Sequence, residues 1–375
     1  MKPEIFSEIG SIEKVFVYSP GEEHNLVLPK DIRPYLENDS SIYPNENFLL
    51  FDDLIDLEVA KNQHEMFMDV INFYKEDSCV NIRSDFKNIL NDENIKNDYP
   101  LINLMYPRDI AVMIGKQIFL TSSSSKVRKA ENLITESYFR KDSNYKDCEI
   151  IDFKKINNKL SLEGGDIFVI NKDIVMIGIS ERTSLEAIQL IVPYIFDQDF
   201  QKVIAINLPK ERAMMHLDTI FTQTSYNEAI MFNHEDYNIE DLDVFLATKG
   251  SKSNKLIKQN YKFIDILKDL DFNLISCGGS ENNFKLREQL TDGANSFALE
   301  PGKIIMYNCN YNTIKELEKN DYKHISSKSL YNDQLTFEKV LRSDSKVVIS
   351  IDGSELVKGR GGPRCMTLPI KRGSL

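Results

Sequence analysis

The strongest constraint on how this chain can fold is a repeat of shape more than of letters. A polar or acidic loop leads into an apolar strand, a tight turn, a second apolar strand and, in most copies, a helical pattern. The first copy opens at Asp109, runs through Ile110 to Ile114, turns at Gly115-Lys116 and returns through Ile118 to Leu120. A helix expected to start near Ser122 to Ser125 follows, with Val127, Ala130, Leu133, Ile134 and Tyr138 on one face. The second copy runs from Asp166 through Ile167 to Ile170, turns at Asn171-Lys172-Asp173, and returns through Ile174 to Ile177. Its helix carries Leu185, Ile188, Val192 and Ile195, with Pro193 as a candidate kink. A third copy opens at His216-Leu217-Asp218, with strands around Ile220 and Ile230. A fourth runs from Ser296 to Leu299, turns at Pro301-Gly302, and returns through Ile304 to Met306. Strands near Val15 to Tyr18 and Val347 to Ile351 are expected to close a fifth unit from the two ends of the chain. Units this small cannot bury an apolar face alone, so they should pack side by side around a common axis. The expectation is an α/β architecture with residues 1–375 in a single domain.

Charge narrows the choice of partner. Forty-six Lys plus Arg face 58 Asp plus Glu, a net −12. That balance speaks against nucleic acid or an anionic membrane, both of which want a basic face, and leaves small cationic substrates welcome. No run approaches the ~20 apolar residues of a membrane helix. The start, Met1 to Glu8, lacks the apolar core of a signal peptide, so a cytoplasmic location is expected. Cys79, Cys148, Cys277, Cys309 and Cys365 are scattered without a CxxC pair, which argues against a disulfide framework or a zinc knuckle. The polar stretch 75–99 reads as an insertion, and Ile239 to Asn260 as surface helix and loop.

Polar residues recur at the mouths of the units: Asp109, then Glu163 and Asp166, then His216 and Asp218, with Cys365 near the chain end. On a strand, His216 and Asp218 would project from one face. Glu163-Gly164-Gly165-Asp166 sets two carboxylates around two glycines, which allows close backbone approach to a ligand or a plain β-turn. Gly359-Arg360-Gly361-Gly362-Pro363-Arg364-Cys365 puts a lone thiol after a Gly-rich loop with two arginines, where a thiolate would be stabilised. A basic tail or an anion-binding nest fits the same letters. Taken jointly, one thiol can attack an electrophilic carbon, one imidazole can move protons, and Asp109, Glu163 and Asp218 can hold a planar cation. A guanidinium is the natural substrate, and the scheme needs no cofactor or metal.

These motifs resemble the arginine deiminases of the guanidine-modifying, or pentein, superfamily. The resemblance rests on Phe6-Ser7-Glu8-Ile9-Gly10, Leu57-Glu58-Val59-Ala60, Arg108-Asp109, Glu163-Gly164-Gly165-Asp166, Met215-His216-Leu217-Asp218, Asp292-Gly293-Ala294-Asn295 and Arg364-Cys365-Met366. It implies a five-bladed pseudo-symmetric α/β propeller of ββαβ-type units and hydrolysis of L-arginine to L-citrulline and ammonia. It implies Cys365 as nucleophile of an amidino intermediate, His216 as general acid and base, and Glu163 as its orienting partner. Asp109 and Asp218 would grip the guanidinium, while Asn103, Arg128, Asp166, Arg182 and Arg360 would bind the rest of the substrate. Residues 75–99 stand where bacterial arginine deiminases carry a larger helical insertion, and the resemblance is compatible with a homo-oligomer. Other readings are a hydrolase of agmatine, a methylated arginine or citrulline, and an amidinotransferase. The Pro-Arg-Asp run is similar to the amidinotransferases, which lack the EGGD and Arg-Cys-Met motifs.

Overall fold

Ala111–Ile114 pairs antiparallel with Gln117–Leu120 across a turn at Gly115, whose φ of +60° is open to a residue without a Cβ. Gln117–Leu120 then takes a third strand, Glu149–Asp152, in parallel. A parallel partner cannot be reached by a hairpin, so a helix, Lys129–Lys141, makes the crossover. The computed structural model, which describes residues 2–32, 35–36, 42–43, 49–92, 95–251 and 254–375, repeats this arrangement four more times. The other strand triplets are Ile167–Asn171, Ile174–Ile179 and Lys202–Asn207; then Phe221–Ser225, Glu228–Met231 and Asn273–Ser276. They continue with Phe297–Glu300, Lys303–Tyr307 and Lys346–Ile351, and finally Leu368–Arg372, Ile12–Val17 and Cys79–Asn81. In each, the middle strand is antiparallel to the first and parallel to the third. The helix Leu57–Tyr74 crosses over in the last unit and buries Ala60, Phe67, Val70 and Ile71, a 3.6-residue spacing.

Three expectations need correction. Val347 to Ile351 does not pair with the N-terminal strand. It lies between Lys303–Tyr307 and Tyr322–Ser326, and Leu368–Arg372 closes Ile12–Val17 instead. The stretch 75–99 is not a mere insertion, because Cys79–Asn81 enters the sheet and Arg83–Asp92 is a helix. Only three residues long, that strand has too little pattern to read. Likewise Asp243–Thr248 and Ile257–Lys262 form a hairpin added to the second sheet, the outer strand, IKQNYK, being half exposed and mostly polar. Residues 93, 94, 252 and 253 of these two stretches lie outside the described residues. Pro193 sits inside Leu185–Asp197, and the helix after the first hairpin starts at Lys129, preceded by a 3-10 turn over Lys126–Arg128.

Short turns precede the first strands: Pro107–Asp109, Gly164–Asp166, Leu217–Thr219, and the loop from Pro363 to Met366. The strands behind them are largely buried on both faces, and Asp109, Asp166, Asp218 and Cys365 stand in the turns. No helix among the described residues is long and apolar enough to cross a membrane.

Candidate active site

Asp109, Glu163, His216 and Cys365 line one pocket together with Asn103, Arg128, Arg182 and Arg360. Asp166 and Asp218 stand behind its wall. His216 and Asp218 do not share a strand, as their spacing suggested. His216 is the extended residue before a 3-10 turn and Asp218 lies within that turn, so the two side chains serve opposite walls.

On one wall, Nε2 of His216 lies 2.9 Å from Glu163 Oε2, and its Nδ1 lies 3.7 Å from Asp109 Oδ1. The second oxygen of Glu163 accepts from Ser123 Oγ at 2.6 Å and the Ser124 N–H at 3.1 Å. A Cβ at Gly165 would stand 2.5 Å from His216 Nδ1, so the ring can pack here only against glycine. Burial opposes charge on the imidazole, but Asp109 and Glu163 outweigh it and lift His216 to about 10. Burial also opposes charge on Glu163, yet the bond to His216 and the Arg182 guanidinium hold it well below the carboxylate range. Nitrogen and oxygen atoms of Asp109, Glu163 and His216 lie within 4.8 Å of one another, a donor set with room for a cation. A protonated His216 supplies that positive charge from within.

On the opposite wall, Cys365 Sγ lies 3.4 Å from Asp218 Oδ2 and accepts from Asn295 Nδ2 at 3.1 Å. Asp218 is held by Arg364 Nη1 at 2.9 Å, and Arg364 Nε donates to Glu8 at 2.8 Å. Burial, followed by Asp218, Asp109 and Asp292, pushes the Cys365 thiol well above its ordinary value, and Arg364 offsets only part of this. The expectation that the neighbouring arginines create a thiolate is therefore corrected. Arg364 is engaged with carboxylates, and the nearest charge to sulfur is negative.

The remaining predicted residues divide by how they are occupied. Arg128 donates to Asp109 Oδ2 and Glu131 Oε2, both at 2.6 Å, and to the carbonyls of Asn103 and Tyr106. It anchors Asp109 more than it faces the pocket. Asn103 Nδ2 bonds the Leu49 carbonyl. Among the described residues, the Arg182 guanidinium commits only its Nε, to Glu181, while Arg360 reaches the carbonyls of Leu290 and Ala213 and has its Nε 3.7 Å from Asp52 Oδ2. Asp166 accepts from Ser180 Oγ and the Leu217 N–H, and burial lifts it to about 7. It holds two loops together and does not face the pocket. Asn295, Glu8, Ser123 and Ser124 escaped the sequence reading of roles. Asn295 and Glu8 lie inside quoted motifs, but an amide and a remote glutamate carry no chemical signature of their own.

Two oxygens bear on what the pocket can take, one on its lining at Asp109 and one directly behind Cys365 at Asp218. Asp109 Oδ1 and Asp218 Oδ1 are both buried and have no hydrogen-bond partner among the described residues. Such acceptors call for an N–H-rich cation.

Comparison with known proteins agrees. The sequence profile of the family described as Arginine deiminase matches residues 74–372. The chain belongs to the arginine deiminase family. The arginine deiminase of Borreliella burgdorferi (strain ZS7) is 30% identical, with 98% of this chain and 97% of that protein covered. The arginine deiminase of Mycoplasma capricolum is 28% identical, with 100% and 98% covered. Among solved structures, the N-terminal domain of ArgZ, covalently bound to a reaction intermediate, aligns with a TM-score of 0.58 at 13% identity, covering 96% of this chain and 99% of that one. DDAH from Pseudomonas aeruginosa, in complex with citrulline, aligns at 0.56 and 15% identity, covering 96% and 99%. These structural likenesses establish a shared mixed α/β fold.

Proposed function

We propose that this chain hydrolyses L-arginine to L-citrulline and ammonia through a covalent intermediate on Cys365, all five ββαβ units forming one catalytic domain in a propeller-like array. The observation that carries the reading is the pair of unpartnered oxygens on Asp109 and Asp218, the latter on the carboxylate that faces the thiol. A guanidinium lying between them donates its N–H groups to both and presents its carbon to Sγ.

The cation also changes the protonation of the site. Its charge offsets the carboxylates that disfavour the thiolate, so Cys365 loses its proton to solvent when substrate binds. The thiolate adds to the guanidinium carbon. Protonated His216 then gives its proton to the departing nitrogen, the C–N bond breaks, and ammonia leaves a thiouronium on sulfur. Neutral His216 next takes a proton from water as the oxygen adds to that carbon. Collapse of the adduct breaks the C–S bond, returns the thiolate, sheds the hydroxyl proton and frees citrulline. Glu163 fixes the ring orientation through both stages. Arg182 and Arg360, with donor capacity on the pocket wall, hold the substrate's α-carboxylate.

The test is product analysis after incubation with L-arginine, with and without glycine as amine acceptor. Citrulline and ammonia in equal amounts, unaffected by glycine and absent for Cys365→Ser, are expected. A guanidino product formed with glycine would make the chain an amidinotransferase, and no citrulline would overturn the reading.

A further inference from the structure

A second cavity carries chemistry that the reaction leaves unused. The helices α1 (Leu57–Tyr74) and α2 (Arg83–Asp92), with the loop Ser19 to Gly21, enclose a cleft of about 440 Å³, a volume typical of small-molecule sites. His64 lines it. This side chain is fully buried, and neither ring nitrogen has a hydrogen-bond partner among the described residues. Burial, assisted by the nearby Arg83 guanidinium, pushes His64 down to about 3, so the ring is neutral and offers one donor and one acceptor. Leaving both unmet on one buried ring is costly, which marks the cleft floor as built for a polar occupant.

The charged residues of the lining divide into paired and unpaired. Arg83 donates to Glu23 and the Ser19 carbonyl, and Lys61 pairs with Glu22 and Glu58. Lys87 and Glu65 also line the cleft and make no hydrogen bond or ion pair among the described residues. The cleft thus presents one ammonium and one carboxylate, both on exposed side chains, beside a buried imidazole with one unmet donor and one unmet acceptor. A simple oxyanion would meet Lys87 but be repelled by Glu65, and a simple cation would suffer the reverse. A net-neutral molecule bearing both charges satisfies the set. We propose that this cleft binds a free α-amino acid, its carboxylate toward Lys87, its ammonium toward Glu65, and a polar group bonded to His64.

The test is independent of catalysis. The Cys365→Ser protein is titrated calorimetrically with each of the common amino acids, alongside versions that also carry Lys87→Gln, Glu65→Gln, His64→Leu or Arg182→Ala. At least one amino acid should bind, with affinity weakened about tenfold or more by each of the first three changes and unmoved by Arg182→Ala. His64→Leu should keep the fold, since replacing an unpartnered polar ring by an apolar side chain is nearly neutral. Should that variant fail to fold, the two exposed positions still decide. Binding that disappears only with Arg182→Ala, binding indifferent to Lys87 and Glu65, or no binding at all, would overturn the proposal.

Discussion

The two walls of the catalytic pocket experience the same negative field and answer it in opposite ways. His216, between Asp109 and Glu163, gains a proton and becomes a buried cation. Cys365, facing Asp218 with Asp109 and Asp292 nearby, keeps its proton and stays neutral. Carboxylates raise both pKa values, which charges an imidazole but denies charge to a thiol. The resting site is therefore an acid in waiting beside a dormant nucleophile. A cationic substrate is the one ligand whose arrival reverses the field on the thiol wall, so recognition and activation become a single event.

The sharpest way to break this comparison is to remove the dormant group. Cys365→Ser should lower kcat by about 10³-fold or more while leaving the melting temperature nearly unchanged. Activity within a few-fold of the parent would exclude a covalent thiol. Next comes the charge that silences the thiol. Asp218→Ala leaves the buried Arg364 guanidinium with Glu8 as its one carboxylate among the described residues, beside the carbonyls of Ile167 and Gly165, and should cost about 3–5 kcal/mol in urea unfolding, besides turnover. A stable variant would mean that Asp218 is not the partner Arg364 depends on.

Smaller effects sharpen the picture. Arg182→Ala should reduce kcat/KM for L-arginine about 10- to 100-fold more than for agmatine, which has no carboxylate to lose. Equal losses would contradict a carboxylate contact. Smallest in rate but most diagnostic is Glu163→Gln, which removes one of the carboxylates flanking His216. In the parent, the raised His216 value contributes stability that is complete below ~6.5, the unfolded imidazole's value, and is lost as pH rises toward about 10. The melting temperature should fall over that range. The variant should show a flatter fall, and nuclear magnetic resonance should find the His216 ring titrating at lower pH than in the parent. An unchanged titration would remove Glu163 from the account.

How much of this was legible beforehand depends on what kind of signal each residue carried. The hairpins were readable because Ile110 to Leu120 and Ile167 to Ile177 are apolar runs around a tight turn, a pattern that local physics dictates. The parallel partners were less so. Cys79–Asn81 is three residues long, and Leu368–Arg372 begins directly after the site loop, so nothing local distinguishes its partner from Val347 to Ile351. The convergence of Asp109, Glu163, His216 and Cys365 followed from repeated unit mouths. Which wall each serves did not, because that depends on the turn geometry at His216 and Asp218. The charge state of Cys365 was misjudged for a related reason: two arginines in sequence suggest a positive loop, whereas in space Arg364 belongs to Asp218 and Glu8.

The central claim is that a bound cation, not the protein's own arginines, makes the thiolate. It is tested most directly by the ultraviolet absorbance of the Cys365 thiolate, taken as the difference between parent and Cys365→Ser across pH, with and without an unreactive amidinium ligand. The account predicts a neutral thiol up to alkaline pH in the free protein and a large downward shift of its titration when the ligand binds. A thiolate already present near neutral pH in the free protein, or a titration that the ligand does not move, would contradict it.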